Sequence, residues 1–532
     1  MMAAEYDAIV IGAGHNGLVT GAYLARAGLK TLVLERRPVL GGATVTEEIY
    51  PGFKFSVFSY VVSLLRPEII RDLNLPAHGL TILPLESTLT PLPNGNCLYR
   101  GADHYETYRN VARFSPRDAD AYEDYSRTMY FMAKAVRYVL GVIPPDPTSL
   151  RANDLRGLVD FARHFLGLES EQLYTLARLM TMSSADFLER WFESEPLLGT
   201  LSASGIIGTY LGPRSPGTAY VLLHHYMGEL DGNFRAWGFP KGGTGGIAAA
   251  IDSAARAFGA EIRTEAEVER VIVRHGRAVG VALQNGDEVY AKVVVSSLDA
   301  HQTFLKLVGP EHLPDDMLDA LRNFVFRGSS GKVNLALDAV PQLACWPGLG
   351  AHLRGAISIS PSVDYIERAY DDAKYGSFSH KPYIDIVIPS MIDPDMAPPG
   401  KHVMSCFVQY APYHLKDGNW DEQRQAFGDA VIDTLSEYLP TLKDIILYRQ
   451  VLTPLDIERI TGLTQGNIFQ GELSLSQLFF FRPAPGLARY KTPVQSFYQC
   501  GSATHPGGGI SGAPGRLAAG VILKDGFGIQ RR

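Results

Sequence analysis

Cysteine and basic charge are both scarce in this chain, and each shortage excludes a class of protein. The 532 residues include four cysteines, and no two are close in sequence. They are Cys97, Cys345, Cys406 and Cys500. This spacing excludes a Cys-x-x-Cys redox pair, a zinc site of neighbouring thiols and the disulfide framework of a secreted domain. With 49 Lys and Arg against 56 Asp and Glu, the net charge is −7. We therefore expect no metal site and no nucleic-acid partner.

Long apolar runs are missing as well. The longest window without a charged residue lies between Glu195 and Arg214, and its glycines and prolines make it a poor membrane span. It is either the lining of an apolar pocket or an ordinary core segment. No export leader precedes the first apolar run, Ala8–Ile11. We expect a cytoplasmic protein, with peripheral membrane contact as an alternative. A mitochondrial location is expected if the source is an animal, although no clear transit peptide is present.

What is present begins with a pattern typical of dinucleotide-binding proteins. Tyr6–Ile11 is a short β-branched apolar run, which predicts a buried parallel strand. Leu18–Ala27 is predicted to be a helix, and Lys30–Leu34 a second buried strand. A Gly-x-Gly-x-x-Gly turn joins the first strand to the helix, and an acidic residue follows the second strand at the required spacing of about 20 residues. The alternative is an accidental turn, which this context disfavours.

Each residue of this fingerprint has a physical role. Gly12 permits the tight turn, Gly14 lets the backbone approach a pyrophosphate, and Gly17 lets the helix pack on the strand. The helix N-terminus attracts the phosphates. Glu35 accepts hydrogen bonds from ribose hydroxyls, and the adjacent Arg36 is included among the predicted cofactor-binding residues.

A second glycine pair favours FAD over NAD. Gly41 and Gly42 follow the ribose-binding acid closely, so another stretch of bare backbone lies near the cofactor. FAD is longer than NAD across its diphosphate and can reach this stretch.

The middle of the chain predicts a three-stranded meander. Glu267–Arg274, Arg277–Leu283 and Glu288–Val295 are separated by His-Gly and Asn-Gly, which are hairpin signals. The segment Val293–Asp299 is typical of a chain returning to the first sheet.

A glycine-rich loop, Pro240–Gly246, lies before the meander and is followed by a predicted helix, Ile247–Ala257. No buried strand is predicted before the loop, so it is not interpreted as a second nucleotide loop. It either packs against the flavin or its ribityl chain, or is simply a glycine-rich start of a helix.

The C-terminal part predicts another close backbone approach. A strand, Phe497–Cys500, precedes Gly501–Gly515, in which six residues are glycine, and a helix follows at Ala513–Lys524. The N-terminus of that helix can stabilise negative charge on a reduced flavin.

Four stretches together resemble the flavin-dependent phytoene desaturase and carotenoid isomerase family, which is itself similar to the flavin amine oxidases. They are Gly12–Leu18, Glu35–Phe55, Tyr220–Gly246 and Tyr498–Gly515. The resemblance implies FAD as the cofactor and an α/β fold. Its Rossmann-type FAD-binding domain would be of the glutathione reductase and amine oxidase type, with a discontinuous α+β substrate domain.

The resemblance also assigns site residues. The cofactor site would comprise Gly12, Gly14, Gly17, Glu35, Gly41, Gly42, Val268 on the adenine side, and Gly501, His505, Gly508 and Gly509 beside the flavin. Ala43 and Ser502 stand where amine oxidases often have arginine and many flavoproteins have aspartate. These departures argue against amine-oxidase chemistry, and less against FAD binding.

Both domains are expected to be discontinuous. The FAD-binding domain would comprise residues 1–65, 240–300 and 486–532, and the substrate domain residues 66–239 and 301–485, with a helical part at about 120–210. Within that part, Tyr122–Leu140 and Leu158–Arg190 are predicted helices. Tyr130–Met132 either packs in the core, which is the favoured interpretation, or contacts a membrane.

A lipophilic substrate is expected to lie against the flavin in a dry cavity. His505 is the candidate for the proton step because histidine titrates near neutrality, and a structural role capping its loop is the alternative. His224, His225 and Trp237 are candidates for the pocket. Arg66 either meets an anionic group of the substrate or makes a surface ion pair, which is favoured.

Three functions compete. The first is an FAD-dependent desaturase or oxidase of an isoprenoid- or carotenoid-like substrate, with oxygen or a quinone as the electron acceptor. The second is a redox-neutral polyene isomerase that uses reduced FAD, and the third is a non-catalytic carrier of lipids or prenyl groups. A disulfide reductase is excluded, because the sequence has neither a closely spaced dithiol nor a second nucleotide fingerprint.

Overall fold

The computed structural model describes residues 5–230, 232–234 and 236–526. The strands are β1 Tyr6–Ile11, β2 Thr31–Leu34, β3 Thr46–Tyr50, β4 Phe53–Ser56, β5 Ile82–Pro84, β6 Ser87–Pro91, β7 Cys97–Gly101, β8 Glu229–Leu230, β9 Asn233–Phe234, β10 Gly238–Pro240, β11 Glu261–Arg263, β12 Val268–Arg274, β13 Arg277–Leu283, β14 Glu288–Ser296, β15 Ser330–Leu337, β16 Ala356–Ile359, β17 Tyr383–Val387, β18 His402–Gln409, β19 Ile446–Leu452 and β20 Phe497–Gln499.

The helices surround two larger sheets. They are α1 His15–Arg26, α2 Pro67–Asp72, α3 His104–Ala112, α4 Pro116–Leu140, α5 Ala152–Leu166, α6 Ser170–Thr181, α7 Ser184–Leu188, α8 Glu195–Ser202, α9 Thr218–Tyr226, α10 Gly245–Ala257, α11 Asp315–Arg322, α12 Val363–Lys374, α13 Trp420–Ser436, α14 Leu442–Ile445, α15 Pro454–Thr461 and α16 Ala513–Asp525, with a π-helical segment at His301–Val308.

The first sheet is assembled from three distant parts of the chain. Its parallel strands run in the order β11, β2, β1 and β14, and β20 pairs with β14. The register places Ile9 opposite both Leu32 and Val294. Strand β14 continues into β13 and β12 as an antiparallel meander. The predicted return of the chain to the first sheet is therefore confirmed.

Both faces of this sheet are buried, which explains why its strands are apolar throughout rather than alternating. Ala8 and Val10 belong to a core shared with α1, α10 and α16. Ile9 and Ile11 belong to a second core, which includes residues of β12, β13 and the π-helical segment. The layering is that of a Rossmann-type domain.

The predicted elements of this region agree with the structure to within a few residues, with one correction. A buried strand, β10, does precede the glycine-rich loop. It pairs antiparallel with β5 in a separate two-stranded sheet, so it does not form the strand of a second nucleotide-binding unit. The loop packs on β3: the Gly245 amide donates to Thr46 Oγ1 at 3.0 Å, and a β-carbon on Gly243 would lie 2.3 Å from the same oxygen.

The second sheet has the order β19, β15, β18, β17, β16, β6 and β7. Neighbouring strands are antiparallel except for β16 and β6. Its side chains pack with residues of α13 in one continuous core. The division of the chain into domains at the stated boundaries stays a prediction.

The helical part corrects one prediction. The single helix over Leu158–Arg190 is wrong, because this stretch is divided among α5, α6 and α7. Two local signals cause the breaks. Glu169 forms a capping box with Gln172 at the start of α6, and the Ser183 hydroxyl accepts from the Asp186 amide at the start of α7.

The charge-free window after Glu195 forms α8 and the turns that follow it, and most of its side chains are buried. Within the described ranges, no helix is both long and apolar enough to cross a bilayer.

Candidate functional site

The first glycine-rich turn gives its three glycines different surroundings. Gly12 has a φ of +86°, and a β-carbon there would lie 2.6 Å from Ser297 Oγ. A β-carbon on Gly17 would lie 2.0 Å from the Gly12 carbonyl oxygen, whereas one on Gly14 would meet nothing within 4 Å. Gly12 and Gly17 therefore serve the tight turn and the packing of α1. Gly14 alone borders open space.

The start of α1 provides an anion-binding face. Its N-cap is Gly14, which has no side chain to satisfy the amides of the first turn. The second glycine pair lies against this face. The Gly41 amide donates to the Ala13 carbonyl at 2.9 Å, and a β-carbon on Gly42 would lie 3.3 Å from the Gly14 α-carbon. The structure thus brings both glycine pairs together.

Glu35 lies at the end of β2 and is buried. Its Oε2 accepts from the Ala13 amide at 2.9 Å, and its Oε1 accepts from the Arg37 amide at 3.0 Å. The Ala266 amide donates to the Glu35 carbonyl at 2.8 Å, which brings the start of β12, at Val268, beside the same edge. The predicted ribose and adenine positions are therefore neighbours.

Arg36 has partners that its sequence position did not indicate. Its guanidinium is exposed and donates to the main-chain carbonyls of Arg459 and Ile460, at 3.3 and 2.8 Å. These carbonyls lie at the C-terminal end of α15, where a cation is favourable. Arg36 therefore holds α15 against the segment after β2, and its assignment to the cofactor stays a prediction.

The late glycine-rich loop meets the first one. The Asn16 side chain donates from Nδ2 to Ser502 Oγ at 3.0 Å, across 486 residues of sequence. A β-carbon on Gly501 would lie 2.3 Å from the Ser297 carbonyl oxygen, and Ser297 also contacts Gly12. The fold therefore brings glycines that are distant in sequence close together.

Gly508 and Gly509 face protein atoms. A β-carbon on Gly508 would lie 2.3 Å from the ring of Phe469, and one on Gly509 would lie 2.7 Å from Leu64 Cδ1. The bare backbone here accommodates these two side chains. Phe469 was not among the predicted pocket residues, because nothing in its local sequence links it to the loop.

The surroundings of His505 contradict the expectation that this histidine titrates near neutrality. It is buried, and its Nε2 lies 2.9 Å from the Val139 carbonyl at the end of α4. Burial lowers the pKa of His505 to about 4, so the premise that it titrates near neutrality is wrong. The Tyr490 hydroxyl donates to its carbonyl at 2.8 Å. These contacts fit the alternative of a histidine that caps its loop.

The predicted pocket residues do lie together, on and beside α9. The rings of His225 and Trp237 stack with centroids 6.0 Å apart, and His224 lies 5.5 Å from His225. Phe469 contacts both histidines, at 6.2 and 6.4 Å. Burial lowers the pKa of His224 to about 3 and also lowers that of His225. Both imidazoles are therefore neutral at physiological pH.

Arg66 makes the ion pair of the favoured interpretation, but not at the surface. Its Nε and a terminal nitrogen donate to Glu68 at 3.2 and 3.0 Å. The pair is largely buried on the arginine side, whose side chain is 11% exposed. Two small cavities share Arg66 and Leu140 in their linings, and one of them is also lined by His224.

A buried titratable group was missed by the sequence analysis. Lys332 lies within β15 and is fully buried; its Nζ donates to the Phe58 carbonyl at 2.9 Å and lies 4.6 Å from the centroid of the Tyr60 ring. The Tyr60 hydroxyl donates to Asp385 Oδ2 at 2.5 Å. Burial lowers the pKa of Lys332 to about 7 and raises that of Asp385 to about 6. A lysine followed by alternating apolar residues of a fully buried strand was the available signal.

The family model of flavin containing amine oxidoreductases matches residues 17–523. The chain belongs to this family. It is an FAD-dependent oxidoreductase, so the predicted fold class, the cofactor and the enzymatic nature of the protein are confirmed. The alternative of a non-catalytic carrier is set aside.

Three relatives of this flavoenzyme extend over nearly the whole chain. Pyridine nucleotide-disulfide oxidoreductase domain-containing protein 2 of Rattus norvegicus is 42% identical and covers 98% of this chain and 94% of its own length. One of the subunits of limonene dehydrogenase from Castellaniella defragrans is 28% identical, with 98% and 95% covered. Prolycopene isomerase 1 of an Oncidium hybrid cultivar is 26% identical, with 100% and 86% covered. The resemblance to carotenoid isomerases is confirmed.

Among solved structures, a triple mutant of putrescine oxidase matches this flavoenzyme with a TM-score of 0.59. The two sequences are 16% identical, and the match covers 98% of this chain and 99% of the other. The likeness concerns the fold.

The residues at the meeting of the two loops fit FAD. His15 Nε2 and Asn16 Oδ1, in the first turn of α1, are buried without a hydrogen-bond partner in the described part of the chain. Orphaned buried groups of this kind are rare in folded proteins and call for a partner. Together with the open space beside Gly14 and the uncapped start of α1, they suit a phosphate-bearing cofactor. Glu35 would hold its ribose.

Proposed function

We propose that this flavoenzyme dehydrogenates a lipophilic, isoprenoid-like substrate. The observation that carries the proposal is the aromatic wall beside the late glycine loop, whose buried charged neighbour, Arg482, is a cation that donates to the Phe469 carbonyl at 2.7 Å. His224, His225, Trp237 and Phe469 supply aromatic faces, and both imidazoles are neutral. An amine substrate is charged in water and would require a paired carboxylate in such a buried place. A hydrocarbon requires only apolar contact.

The relatives support the same class of substrate. One relative is named as a part of a limonene dehydrogenase, and limonene is a hydrocarbon. Dehydrogenation removes two hydrogens from adjacent carbons, as a hydride and a proton, and bound FAD would take up both as it is reduced. The residues of the chain exclude water and orient the substrate by packing against it.

The test is anaerobic reduction of the FAD-loaded enzyme. An apolar monoterpene or linear polyene is expected to bleach the flavin absorbance, and putrescine is expected to leave it unchanged. Bleaching by the amine, with no response to any of the hydrocarbons, would overturn the proposal. Trp237→Leu is expected to slow the reduction, whereas Trp346→Leu, which alters a tryptophan beside Tyr99 of the second sheet, is expected to leave its rate unchanged.

A redox-neutral isomerase is the second candidate, and the relative named as a prolycopene isomerase favours it. Mass spectrometry of the product separates the two. Dehydrogenation lowers the mass of the substrate by two hydrogens, whereas isomerisation leaves it unchanged and requires FAD to be reduced in advance.

We also propose that the substrate is taken from a lipid surface. Several large apolar side chains are exposed on α4, α5 and α6, and we refer to them as the apolar surface. They are Tyr130, Phe131, Leu155, Val159, Leu166 and Tyr174, with exposed fractions from 36% to 76%.

The apolar surface adjoins the late glycine loop. Phe479 contacts both Phe161 of α5, at 5.0 Å, and His505, at 5.2 Å. Exposed basic residues flank the surface on α4 and around α5, namely Lys134, Arg151, Arg156 and Arg163. An amphipathic helix with such residues binds the interface of an anionic bilayer.

A further inference from the structure

Two cysteines that are far apart in the sequence lie together in the second sheet. Cys97 begins β7, which is an edge strand, and Cys345 lies in the turn Leu343–Trp346. The two thiols lie close enough for each to shift the pKa of the other. Both are free thiols; Cys97 belongs to the hydrophobic core of this sheet, and Cys345 packs against the same core.

Neighbouring contacts fix this arrangement independently of the thiols. Tyr99, which shares a strand face with Cys97, has its ring 5.1 Å from that of Trp346. The Ala344 amide donates to the Tyr438 carbonyl at 2.9 Å, which anchors the turn to the end of α13. The strand and the turn that carry the two cysteines are therefore also held in place by groups other than sulfur.

The two thiols differ in a way that suits oxidation. The contact with Cys345, with a smaller contribution from Arg113, lowers the pKa of Cys97 to about 7 although burial opposes the shift, and the same contact raises the pKa of Cys345. A thiolate is the nucleophilic form of cysteine. Cys97 is 6% exposed and Cys345 is only partly buried, so the pair borders the surface.

The other two cysteines form a natural contrast. Cys406 and Cys500 have no exposed surface, and burial raises the pKa of each to about 12. Such thiols are inert. The four cysteines are thus two neighbouring thiols near the surface and two fully buried thiols with raised pKa values.

We propose that Cys97 and Cys345 are a peroxide-sensitive pair that forms a disulfide between β7 and the Leu343–Trp346 turn. The Cys97 thiolate attacks hydrogen peroxide, which gives a sulfenic acid and hydroxide. The Cys345 sulfur then attacks the sulfenic sulfur and expels hydroxide, which takes up a proton. In sum, two thiols and one peroxide give one disulfide and two waters, and the two electrons pass from sulfur to peroxide.

The experiment treats the FAD-loaded enzyme with hydrogen peroxide, blocks the remaining thiols in denaturant and digests the protein without reduction. A Cys97–Cys345 cross-linked peptide is expected, with a loss of about 2 Da from the intact chain that dithiothreitol reverses. Cys406 and Cys500 are expected to carry the blocking group. Four blocked thiols, a cross-link that includes Cys406 or Cys500, or a Cys97 sulfinic acid without a cross-link would each overturn the proposal.

Single variants test separately the role of Cys97, which attacks the peroxide, and that of Cys345, which resolves the sulfenic acid. In Cys345→Ser, Cys97 is expected to progress to the sulfinic acid, because the resolving thiol is gone. In Cys97→Ser, Cys345 is expected to stay reduced. Cys406→Ser is the matched control and is expected to keep the cross-link. Failure of any variant to fold shows as loss of bound FAD, and the cross-link in the unmodified chain then decides the outcome.

Discussion

At the scale of single residues, the local surroundings of each group determine what it can do. Glu35 and Arg36 are adjacent in sequence and were both predicted to bind the cofactor. In the structure, Glu35 faces the glycine-rich turn, and Arg36 donates to the end of α15. The two side chains therefore have different partners, and the assignment of Arg36 to the cofactor stays a prediction.

Glu35→Gln is expected to weaken FAD binding by roughly 10- to 100-fold, because hydrogen bonds to a charged acceptor contribute about 1.5–3 kcal/mol. Fluorescence titration of the deflavinated protein with FAD measures the change. Arg36→Gln is the matched control and is expected to keep the affinity. A larger loss of FAD affinity in the arginine variant would show that Arg36 binds the cofactor.

Lys332 gives a prediction about pH. Its pKa is about 7 in the folded protein, against about 10.4 in an unfolded chain. Between these values the unfolded state binds one more proton, so stability rises with pH by up to about 1.4 kcal/mol per unit. Lys332→Met removes this dependence. From pH 7 to 9 the thermal midpoint of the unmodified protein is expected to rise relative to that of the variant, and parallel curves would show that Lys332 is not neutral when folded.

At the scale of elements, the sequence predicts the first sheet well because several local signals coincide there. Glycine spacing, β-branched runs and hairpin dipeptides all mark its boundaries. The helical part was harder, since the breaks between α5, α6 and α7 depend on side-chain caps such as Ser183 rather than on apolar periodicity. Strands of the second sheet, whose partners are distant, were not predicted individually.

The packing of α1 on β1 requires a residue without a side chain at Gly17. Gly17→Ala is expected to lower the thermal midpoint and the FAD content, because its β-carbon would lie 2.0 Å from the Gly12 carbonyl. Gly520→Ala, in α16, meets nothing within 4 Å and is expected to stabilise by about 0.5–1 kcal/mol. Calorimetry measures the thermal midpoint of each variant, and the ratio of flavin to protein absorbance measures its FAD content. Equal behaviour of the two variants would contradict this account of Gly17.

At the scale of the whole molecule, tertiary contacts decided what the sequence left open. The burial of His505 against Val139, the contact of Phe469 with Gly508 and the Lys332–Tyr60 contact all join distant segments. The cofactor loops were predictable because their function imposes a local pattern. The pocket wall has no such pattern, since any apolar side chain at the right place would serve.

The apolar surface predicts binding to lipid. The purified enzyme is expected to sediment with vesicles that contain anionic lipid, and the bound fraction is expected to fall in a double variant, Leu155→Glu with Leu166→Glu. Leu349→Glu, which alters a leucine that is 73% exposed elsewhere, is the matched control. An enzyme that stays in the supernatant, or equal losses in both variants, would contradict the proposal.

The assembly of the first sheet from distant segments has a consequence for biosynthesis. Strand β20 and the late glycine-rich loop lie near the C-terminal end of the described chain, whereas β1 and the first loop lie near its beginning. A polypeptide emerging from the ribosome can pair β1 with β2 early, but it cannot complete the nucleotide cradle until β20 and the late glycine-rich loop have been translated. Flavin is therefore expected to bind only after this loop has formed, and products that end before β20 are expected to remain colourless.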